Sequence, residues 1–161
     1  MKLSFRLFCF SSMLLTLAWM AKLQFIFGGD YLFRIASLGI LVALALSIYD
    51  TCKIVQVNPM RHIFMVHLIT LLLAYGGMML KVSHLMHTQL EKVIVLDFIA
   101  YPALSFAMLY TFAHSDALLQ QDRSIKTRFM KSVLLPWCVF AFSLILYAVY
   151  SAALGRMMAG N

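Results

Sequence analysis

The fold is decided by the stretch His62–His87, HIFMVHLITLLLAYGGMMLKVSHLMH, an apolar run near the middle of the chain. About 20 consecutive apolar residues are enough for a helix to cross a bilayer. The polar tail of the run, Lys81-Val82-Ser83-His84, falls where such a helix leaves the hydrocarbon. Ionisable groups at that depth are costly and are usually paired or functional. The stretch therefore predicts a transmembrane helix with ionisable groups at one end that are either paired or functional.

The composition places the whole chain in the same class. Hydrophobic residues make up 63% of the 161 residues, charged residues make up 12%, and the mean hydropathy is +0.90. This leaves too little polar surface for a soluble globular domain. The apolar runs are continuous, whereas the strands of a membrane barrel alternate apolar and polar residues. We therefore expect an all-α, polytopic helical membrane protein.

Four further apolar runs flank the central one. We predict five transmembrane helices, or four if the first is cleaved as a signal peptide, although Ala18-Trp19-Met20-Ala21 is a poor cleavage site. Loops are predicted over 50–61 and 113–131. The five helices form a single membrane domain made of one hairpin over 7–49, a second hairpin over 62–112, and a final helix over 132–154.

Basic residues outnumber acidic residues by 13 to 6. In a soluble protein this excess would suggest nucleic acid, but here the basic residues are divided between the N-terminus and the two longer loops. Loops rich in Lys and Arg usually face the cytoplasm. With five spans these segments share one side, so we predict a bacterial inner-membrane protein with a cytoplasmic N-terminus and an external C-terminus. Lys92 and Arg156 are the minority charges outside, and no nucleic-acid partner is predicted.

The two predicted hairpins resemble each other. Lys22 lies about a turn and a half from the outer end of the first hairpin, and Lys81 has the corresponding place in the second. Both hairpins run out and back in the same sense, so a duplication would give a parallel repeat, not an inverted one. Two apolar hairpins also look alike by chance, and both explanations are open.

Lys81, His84 and Asp97 form the main candidate site. Lys81 lies near the outer end of the third helix and Asp97 a little over one turn into the fourth, so a short turn brings them to similar depth. An ammonium and a carboxylate there offset much of each other's desolvation cost. The group is either a structural ion pair, which we favour, or a protonatable site for an ion or proton. Lys22 has three candidate partners: Asp30 in the turn, the lipid headgroups, and Asp97.

The histidines raise the question of a cofactor or metal. Two histidines on facing helices at equal depth can ligate a b-type haem, and His62 or His67 could meet His114 in this way. No second pair exists at the outer end. His84 and His87 are spaced i to i+3 but lack a third ligand for a metal. We predict no metal and no cofactor, and keep haem as the alternative.

Small residues mark two faces where helices can approach closely. Gly76 and Gly77 lie in the middle of the third predicted span, after Ala74-Tyr75. Gly39 and Ala43 have the small-xxx-small spacing on the second span. Such residues are enriched where membrane helices pack, so we predict helix contacts at these four positions.

At Lys81-Val82-Ser83-His84 the chain resembles membrane proteins of the Bacteroidota, best known in the GldL-type stator subunit of the gliding and type IX secretion motor. In that family a glycine-containing helix ends in lysine, two mostly apolar residues and histidine, and a tight turn leads to a helix with an acidic residue. The matching positions are Gly76 or Gly77, Lys81, His84 and Asp97. Leu85-Met86 replaces the family's tryptophan-proline-glycine, no large soluble domain follows, and the first hairpin matches only at Lys22. The resemblance implies a relation to envelope machines of such bacteria.

The sequence carries no P-loop, nucleophile elbow, HExxH motif or dinucleotide fingerprint in a plausible context. With so little chain outside the membrane, we expect a small non-enzymatic subunit of a larger inner-membrane or cell-envelope complex. Its partners would be the lipid bilayer and other membrane subunits, or further copies of itself. One alternative is a proton- or ion-coupled transport or motor element that uses Asp97, Lys81 and His84. The second alternative is a haem- or quinone-associated respiratory subunit.

Overall fold

The computed structural model describes residues 2–24, 28–54, 60–82, 102–103, 105–114, 116 and 123–159. Every regular element in these ranges is helical, which confirms the predicted all-α class for this part of the chain. Residues 105–113 form a short helical segment. The other elements are α1 (Lys2–Leu23), α2 (Gly29–Ile54), α3 (Met60–Val82), α4 (Arg123–Phe129), a π-helical segment (Met130–Leu134) and α5 (Leu135–Ala159).

Four helical stretches in the described ranges are long and apolar enough to cross a membrane. They are Leu3–Leu23, Gly29–Lys53, Met60–Leu80 and Arg123–Ala153. These stretches correspond to the first, second, third and last predicted spans. The remaining predicted span, which forms the second arm of the 62–112 hairpin, lies largely outside the described residues, so the total of five stays a prediction.

α1 and α2 pack against each other as an antiparallel hairpin. The chain reverses at Gly28, whose φ of +93° lies in the left-handed region that glycine adopts without a steric penalty. Asp30 in the first turn of α2 and Lys22 in the last turn of α1 carry the charges that favour those helix ends. At the opposite end, the Ser4 hydroxyl donates to the Asp50 carboxylate at 3.1 Å. The hairpin is therefore held by polar contacts at both ends.

The hydrophobic core lies between α1, α2, α3 and α5. α3 runs antiparallel to α2, because the Cys52 and Met65 sulfur atoms lie 3.8 Å apart near the short 55–59 connection. Edge-to-face aromatic contacts connect the helices. The Trp19 ring of α1 and the Phe33 ring of α2 have centroids 5.2 Å apart, and the Tyr75 ring of α3 and the Phe140 ring of α5 have centroids 5.1 Å apart. The largest fully buried apolar side chains of this core are Trp19, Tyr75, Phe33, Leu15, Ile40, Leu44, Leu68, Leu71 and Val82.

The last long apolar helix begins earlier than predicted. Residues 123–131 were expected to lie in a loop, but α4 starts at Arg123, and the helical path continues to Ala159, beyond the predicted end at residue 154. α2 likewise continues to Ile54, into the predicted loop 50–61. Lys and Arg are good helix formers. Hydropathy therefore marks where the apolar part of a helix ends, and the helix itself continues past that point.

The π-helical segment ends two residues before Pro136. The Leu135 N–H donates to the Met130 carbonyl, five residues back. In a regular α-helix the ring of Pro136 would clash with the carbonyl four residues back, and its missing N–H would leave that carbonyl unpaired. A single π turn inserts one extra residue and relieves this conflict. The proline's own carbonyl accepts a hydrogen bond from the Tyr75 hydroxyl at 3.0 Å, which joins α3 to α5.

Replacing Tyr75 with Phe removes that donor while it keeps the ring against Phe140. We expect the free energy of unfolding in detergent to fall by about 1 kcal/mol, the usual net contribution of one buried hydrogen bond. Tyr31→Phe is the matched control, because the Tyr31 side chain is 66% exposed. Equal losses in the two variants would contradict a stabilising bond between Tyr75 and Pro136.

Candidate functional site

Lys22 is a buried cation at the end of the α1–α2 hairpin. Its side chain is 3% exposed, and its ammonium forms an ion pair with the carboxylate of Asp30. It also donates a hydrogen bond to the carbonyl of Val82 at 3.3 Å. The rings of Tyr150 and Phe33 have centroids 5.2 and 5.9 Å from the ammonium nitrogen. One charged group thus joins α1, α2, α3 and α5.

Each contact of this ammonium has its own physical basis. Val82 is the last residue of α3, where carbonyls have no partner within the helix, and a cation there is favoured by the helix dipole. Aromatic rings attract an ammonium, most strongly away from water. The Asp30 side chain is 50% exposed, whereas that of Lys22 is 3% exposed. The carboxylate therefore reaches solvent, and the ammonium does not.

The contacts of Lys22 correct one expectation about it. Extension to the lipid headgroups was one of its three candidate arrangements, and that arrangement is wrong because the buried ammonium is bound by Asp30 and Val82. Asp30 itself belongs to the first turn of α2 and not to the preceding turn. The partner of Lys22 therefore comes from its own hairpin.

The other predicted site residues are described only in part. His84 and Asp97 lie outside the described residues, and Lys81 is described by its backbone alone, in the last turn of α3. The next residue, Val82, binds the Lys22 ammonium. The end of α3, from which the predicted Lys81, His84 and Asp97 site extends, therefore lies at the same end of the helices as the Lys22–Asp30 pair.

The small residues differ in what surrounds them. A Cβ atom built at Gly39 would lie 3.1 Å from the Cβ of Ser11, so α1 approaches α2 closely there. Ala43, one turn further along α2, is 1% exposed, and Gly77 is buried. A Cβ atom at Gly76 would meet no described atom within 4 Å. Close approach between described helices therefore occurs at Gly39 and not at Gly76.

The two glycines make a matched pair of substitutions. Gly39→Ala is expected to lower the free energy of unfolding by about 1–3 kcal/mol, because the added methyl group pushes α1 away from α2. Gly76→Ala is expected to be neutral, or to raise it by up to about 1 kcal/mol, since alanine favours the helix and has room. Unfolding followed by circular dichroism in detergent measures both. If Gly76→Ala lowered the free energy of unfolding more than Gly39→Ala does, the close approach of α1 to α2 at Gly39 would be contradicted.

A second polar cluster joins α3, the 105–113 segment and α5. The Trp137 indole N–H donates to Nδ1 of His67 at 3.1 Å. An indole N–H can only donate, so Nδ1 carries a lone pair, and the ring is neutral with its proton on Nε2. That proton is donated to Oγ1 of Thr111, whose hydroxyl donates to the Ala107 carbonyl at 3.0 Å. The result is a chain of hydrogen bonds that runs in one direction through a His67 side chain that is 5% exposed.

This cluster bears on the histidines considered for haem. Both ring nitrogens of His67 are engaged, so neither has a lone pair available to iron in this arrangement. His62 is exposed on the first turn of α3. Nδ1–H of His114 donates to the Tyr110 carbonyl at 2.9 Å. Within the described ranges, no group of three or more His, Cys, Asp or Glu side chains is placed to hold a metal ion.

Sequence reasoning identified His67 but missed its partners, Trp137 and Thr111. A signal was present, because a Trp and a His inside apolar helices both carry polar atoms that need a partner when buried. The pairing itself spans 70 positions along the chain. Only the packing of α3 against α5 brings the two rings together.

The fold and the two clusters define a bundle of apolar helices whose buried polar groups bond one helix to another. No protein family, curated protein or solved structure with which the chain was compared matches it. The function is therefore inferred from the residues and contacts described above.

Proposed function

We propose that the chain is a small, non-enzymatic integral membrane protein and a subunit of a larger membrane complex. The observation that carries this proposal is the inverted polarity of the helices. Polar side chains such as Lys22, His67 and Thr70 are buried, whereas large apolar side chains are exposed on every long helix. Water disfavours contiguous apolar surface of this extent, and hydrocarbon accommodates it. Examples of the exposed side chains are Phe10, Met13, Leu17, Ile35, Leu38, Val42, Ile69, Leu73, Phe142, Ile145 and Val149.

The buried polar groups support a structural role over a catalytic one. Lys22, His67 and Tyr75 each bond to a group on a different helix, so their hydrogen-bonding capacity is used to hold the bundle together. A catalytic group needs an atom free to meet a substrate. Groups already committed to helix contacts favour a scaffold or assembly role.

The last span supports the idea of a partner. In its most apolar 18-residue window, only 22% of the residues are buried, compared with 56% for α3. Its exposed face includes Phe142, Ile145 and Val149. A helix with so much uncovered surface can contact lipid, another subunit or a second copy of the chain.

For the orientation, we propose that the N-terminus is cytoplasmic and the C-terminus external, in a bacterial inner membrane. The ends of the helices differ in exposed charge, and Arg156 is an exposed basic side chain near the end of α5. Basic loops usually stay in the cytoplasm. Among the described residues, the exposed basic side chains at the opposite end are Arg6, Lys53, Arg61, Arg123, Lys126 and Lys131.

The resemblance to GldL-type proteins points to a cell-envelope machine as the complex. It rests on Gly76 or Gly77, Lys81, His84 and Asp97. A relation to envelope machinery of the Bacteroidota is therefore part of the proposal, and the neighbouring genes or co-purified subunits would test it.

A second candidate function is a proton- or ion-coupled element. The specific observation in its favour is the asymmetry of the Lys22–Asp30 pair, in which the carboxylate is half exposed and the ammonium is buried. An ion or substrate that drew the Asp30 carboxylate away would leave a buried charge without its counter-ion, which is costly. The charge state of the pair would then affect how four helices meet. Lys81, His84 and Asp97 would belong to the same coupled site.

Membrane extraction and co-purification test the main proposal. We expect the full-length chain to stay in the membrane pellet after alkaline carbonate treatment and to purify in mild detergent with other subunits in fixed ratio. Release by carbonate would exclude an integral protein, and a chain that is always alone and monomeric would contradict the subunit role. Asp30→Asn and Asp97→Asn then separate the two candidates: loss of transport or motor activity in an assembled complex favours coupling, whereas loss of assembly favours a structural pair.

A further inference from the structure

The exposed face of α2 forms one stripe along the length of the helix, the α2 stripe. Its members are spaced three or four residues apart, so they lie on one side of the helix. The members in the middle are all apolar, whereas tyrosine and lysine occur only at the ends. In chain order the stripe consists of Tyr31, Ile35, Leu38, Val42, Ala45, Tyr49 and Lys53.

Each end of the α2 stripe carries an exposed tyrosine with a cation over its ring. The guanidinium carbon of Arg34 lies 5.7 Å from the centroid of the Tyr31 ring. The ammonium nitrogen of Lys53 lies 4.3 Å from the centroid of the Tyr49 ring. Tyrosine is enriched where a membrane meets water, and long basic side chains near helix ends extend to the same level. Both ends of α2 therefore carry the residue types of an interfacial anchor.

The separation of the two tyrosines matches the thickness of a membrane. Tyr31 and Tyr49 are 18 residues apart in the sequence. An α-helix rises 1.5 Å per residue, so they are separated by about 27 Å along the helix axis. The hydrocarbon of cellular membranes is about 30 Å thick on average and a few Å less in the thinner ones. The apolar part of the α2 stripe therefore has the length of a thin bilayer.

The exposed face of α1 has the same length. It is bounded by the exposed Arg6 and Gln24, which are also 18 residues apart. Thr16 is the exposed polar residue between them, and its hydroxyl donates to a carbonyl of its own helix at 3.0 Å. The polar contacts at the two ends of the hairpin put Arg6 near the level of Tyr49 and Gln24 near that of Tyr31. The large exposed side chains between the two ends of α1 are Phe10, Met13, Leu17 and Met20.

The two faces of α2 differ in the size of their side chains. Membrane helices approach each other closely where small residues meet. The small residues Gly39 and Ala43 lie on the inner face, since a Cβ atom at Gly39 would lie 3.1 Å from that of Ser11 and Ala43 is buried. Bulkier side chains cover the outer face, which suits mobile acyl chains better than the surface of another helix. They are Ile35, Leu38 and Val42.

We propose that acyl chains of the bilayer cover the α2 stripe, and that Tyr31 and Tyr49 mark the two levels at which the hydrocarbon ends. The bilayer centre then lies at the level of Ile40, halfway between the tyrosines, with Leu38 and Val42 equally far from it. The hydrocarbon around the protein is about 27 Å thick. This inference rests on the proposed membrane location and adds the depth of the helices and the thickness of the bilayer. A partner subunit would contact a different face of the bundle.

Spin labelling of the full-length protein in phosphatidylcholine bilayers tests the depth. The native cysteines are replaced by alanine, and single cysteines that carry a nitroxide then replace four members of the α2 stripe. Molecular oxygen concentrates in hydrocarbon and a water-soluble nickel chelate stays outside it, so the ratio of their collision rates with the nitroxide reports depth. We expect the ratio to be highest and equal at the inner two positions, and lower and equal at the outer two. The inner positions are Leu38 and Val42, and the outer positions are Ile35 and Ala45.

Other outcomes separate this inference from the proposed function. A ratio that peaks at Ile35 or at Ala45 would contradict the placement of the bilayer. Labels that are immobilised and reached by neither reagent would show that a second copy or another subunit covers the stripe, and would overturn the contact with lipid. In both cases the chain would still be a membrane protein. Free access of the nickel chelate to all four labels would contradict the membrane location itself.

The wild-type chain gives an independent measure of the thickness. It is reconstituted in phosphatidylcholines of increasing acyl-chain length, whose hydrocarbon thickness is measured by X-ray scattering, and its melting temperature is recorded in each. Mismatch between protein and bilayer is costly, so we expect the highest melting temperature where the hydrocarbon is about 27 Å thick. A melting temperature that does not depend on thickness, or that peaks more than one helical turn away from this value, would overturn the inference.

Tyr49→Leu tests the role of the tyrosine at the end of the stripe. The substitution extends the apolar part of the stripe to Lys53, so the preferred thickness should increase by up to about 6 Å, the rise of four helical residues. Val42→Leu is the matched control, because it exchanges one exposed apolar side chain for another in the middle of the same stripe. The control should leave the preferred thickness unchanged. The same preferred thickness in both variants would contradict an anchor at Tyr49.

Discussion

Asp30→Asn is expected to lower the free energy of unfolding by about 3 kcal/mol, because it leaves the ammonium of Lys22 buried without its counter-ion. The side chain of Lys22 is 3% exposed, so water cannot replace the lost carboxylate without opening the contact between helices. Unfolding in detergent, followed by the helical circular-dichroism signal, measures the change. A concurrent weakening of the α1–α3 contact is expected, because the same ammonium binds the Val82 carbonyl.

Lys22→Met is the informative comparison for this pair. It removes the buried charge at similar volume and leaves a carboxylate that is 50% exposed and can be solvated. We expect a loss of only about 1 kcal/mol, which corresponds to the missing bond to Val82. The Lys22→Met, Asp30→Asn double variant should be close to Lys22→Met alone. If Asp30→Asn cost no more than Lys22→Met, the burial asymmetry of the pair would be contradicted.

His67→Ala is expected to destabilise the protein by about 3 kcal/mol. The substitution leaves a cavity between the rings of Phe129 and Trp137, whose centroids lie 5.9 and 6.0 Å from that of the imidazole. It also leaves the Trp137 N–H and the Thr111 hydroxyl without their histidine partner. Unfolding in detergent, followed by the helical circular-dichroism signal, measures this loss as well.

Two variants control for this effect. His62→Ala removes an exposed imidazole from the same helix and should change stability by no more than about 0.5 kcal/mol. Trp137→Phe keeps a ring but leaves Nδ1 of His67 without its donor, and should cost about 1–3 kcal/mol. A loss for His67→Ala no larger than for His62→Ala would be evidence against the hydrogen-bond chain through the bundle.

Hydropathy was sufficient to predict the helical class of the described residues and four helices that are long and apolar enough to cross a membrane. It was not sufficient to predict the residue at which the last of these helices begins. Arg123 and Lys126 look like loop residues on a hydropathy scale, yet their side chains are compatible with a helix and only their contact with hydrocarbon is costly. The polar half of a helix that extends beyond a bilayer is therefore easily assigned to the loop.

The candidate site was less predictable than the fold. Lys22 was identified from its depth, but the choice among its partners depended on how far Asp30 lies into α2 and on where α3 ends. His62 and His67 occur in the same helix, and their different surroundings follow from their angular positions. Five residues at about 100° each place them on nearly opposite faces. Sequence spacing gives that difference in angle, but not which face meets Trp137.

The π turn before Pro136 sets the angular phase of the whole last helix. The turn accommodates one additional residue, so the side chains that follow it are set back by about 100° around the axis relative to an uninterrupted α-helix of the same sequence. The turn thereby determines which side chains face which direction at both ends of one long helix, with Lys131 over the Phe5 ring and Tyr150 near the Lys22 ammonium. A regular α-helix through Met130–Leu134 with the same residues would put these two ends out of phase, so that the helix could keep its contacts at one end of the bundle but not at both.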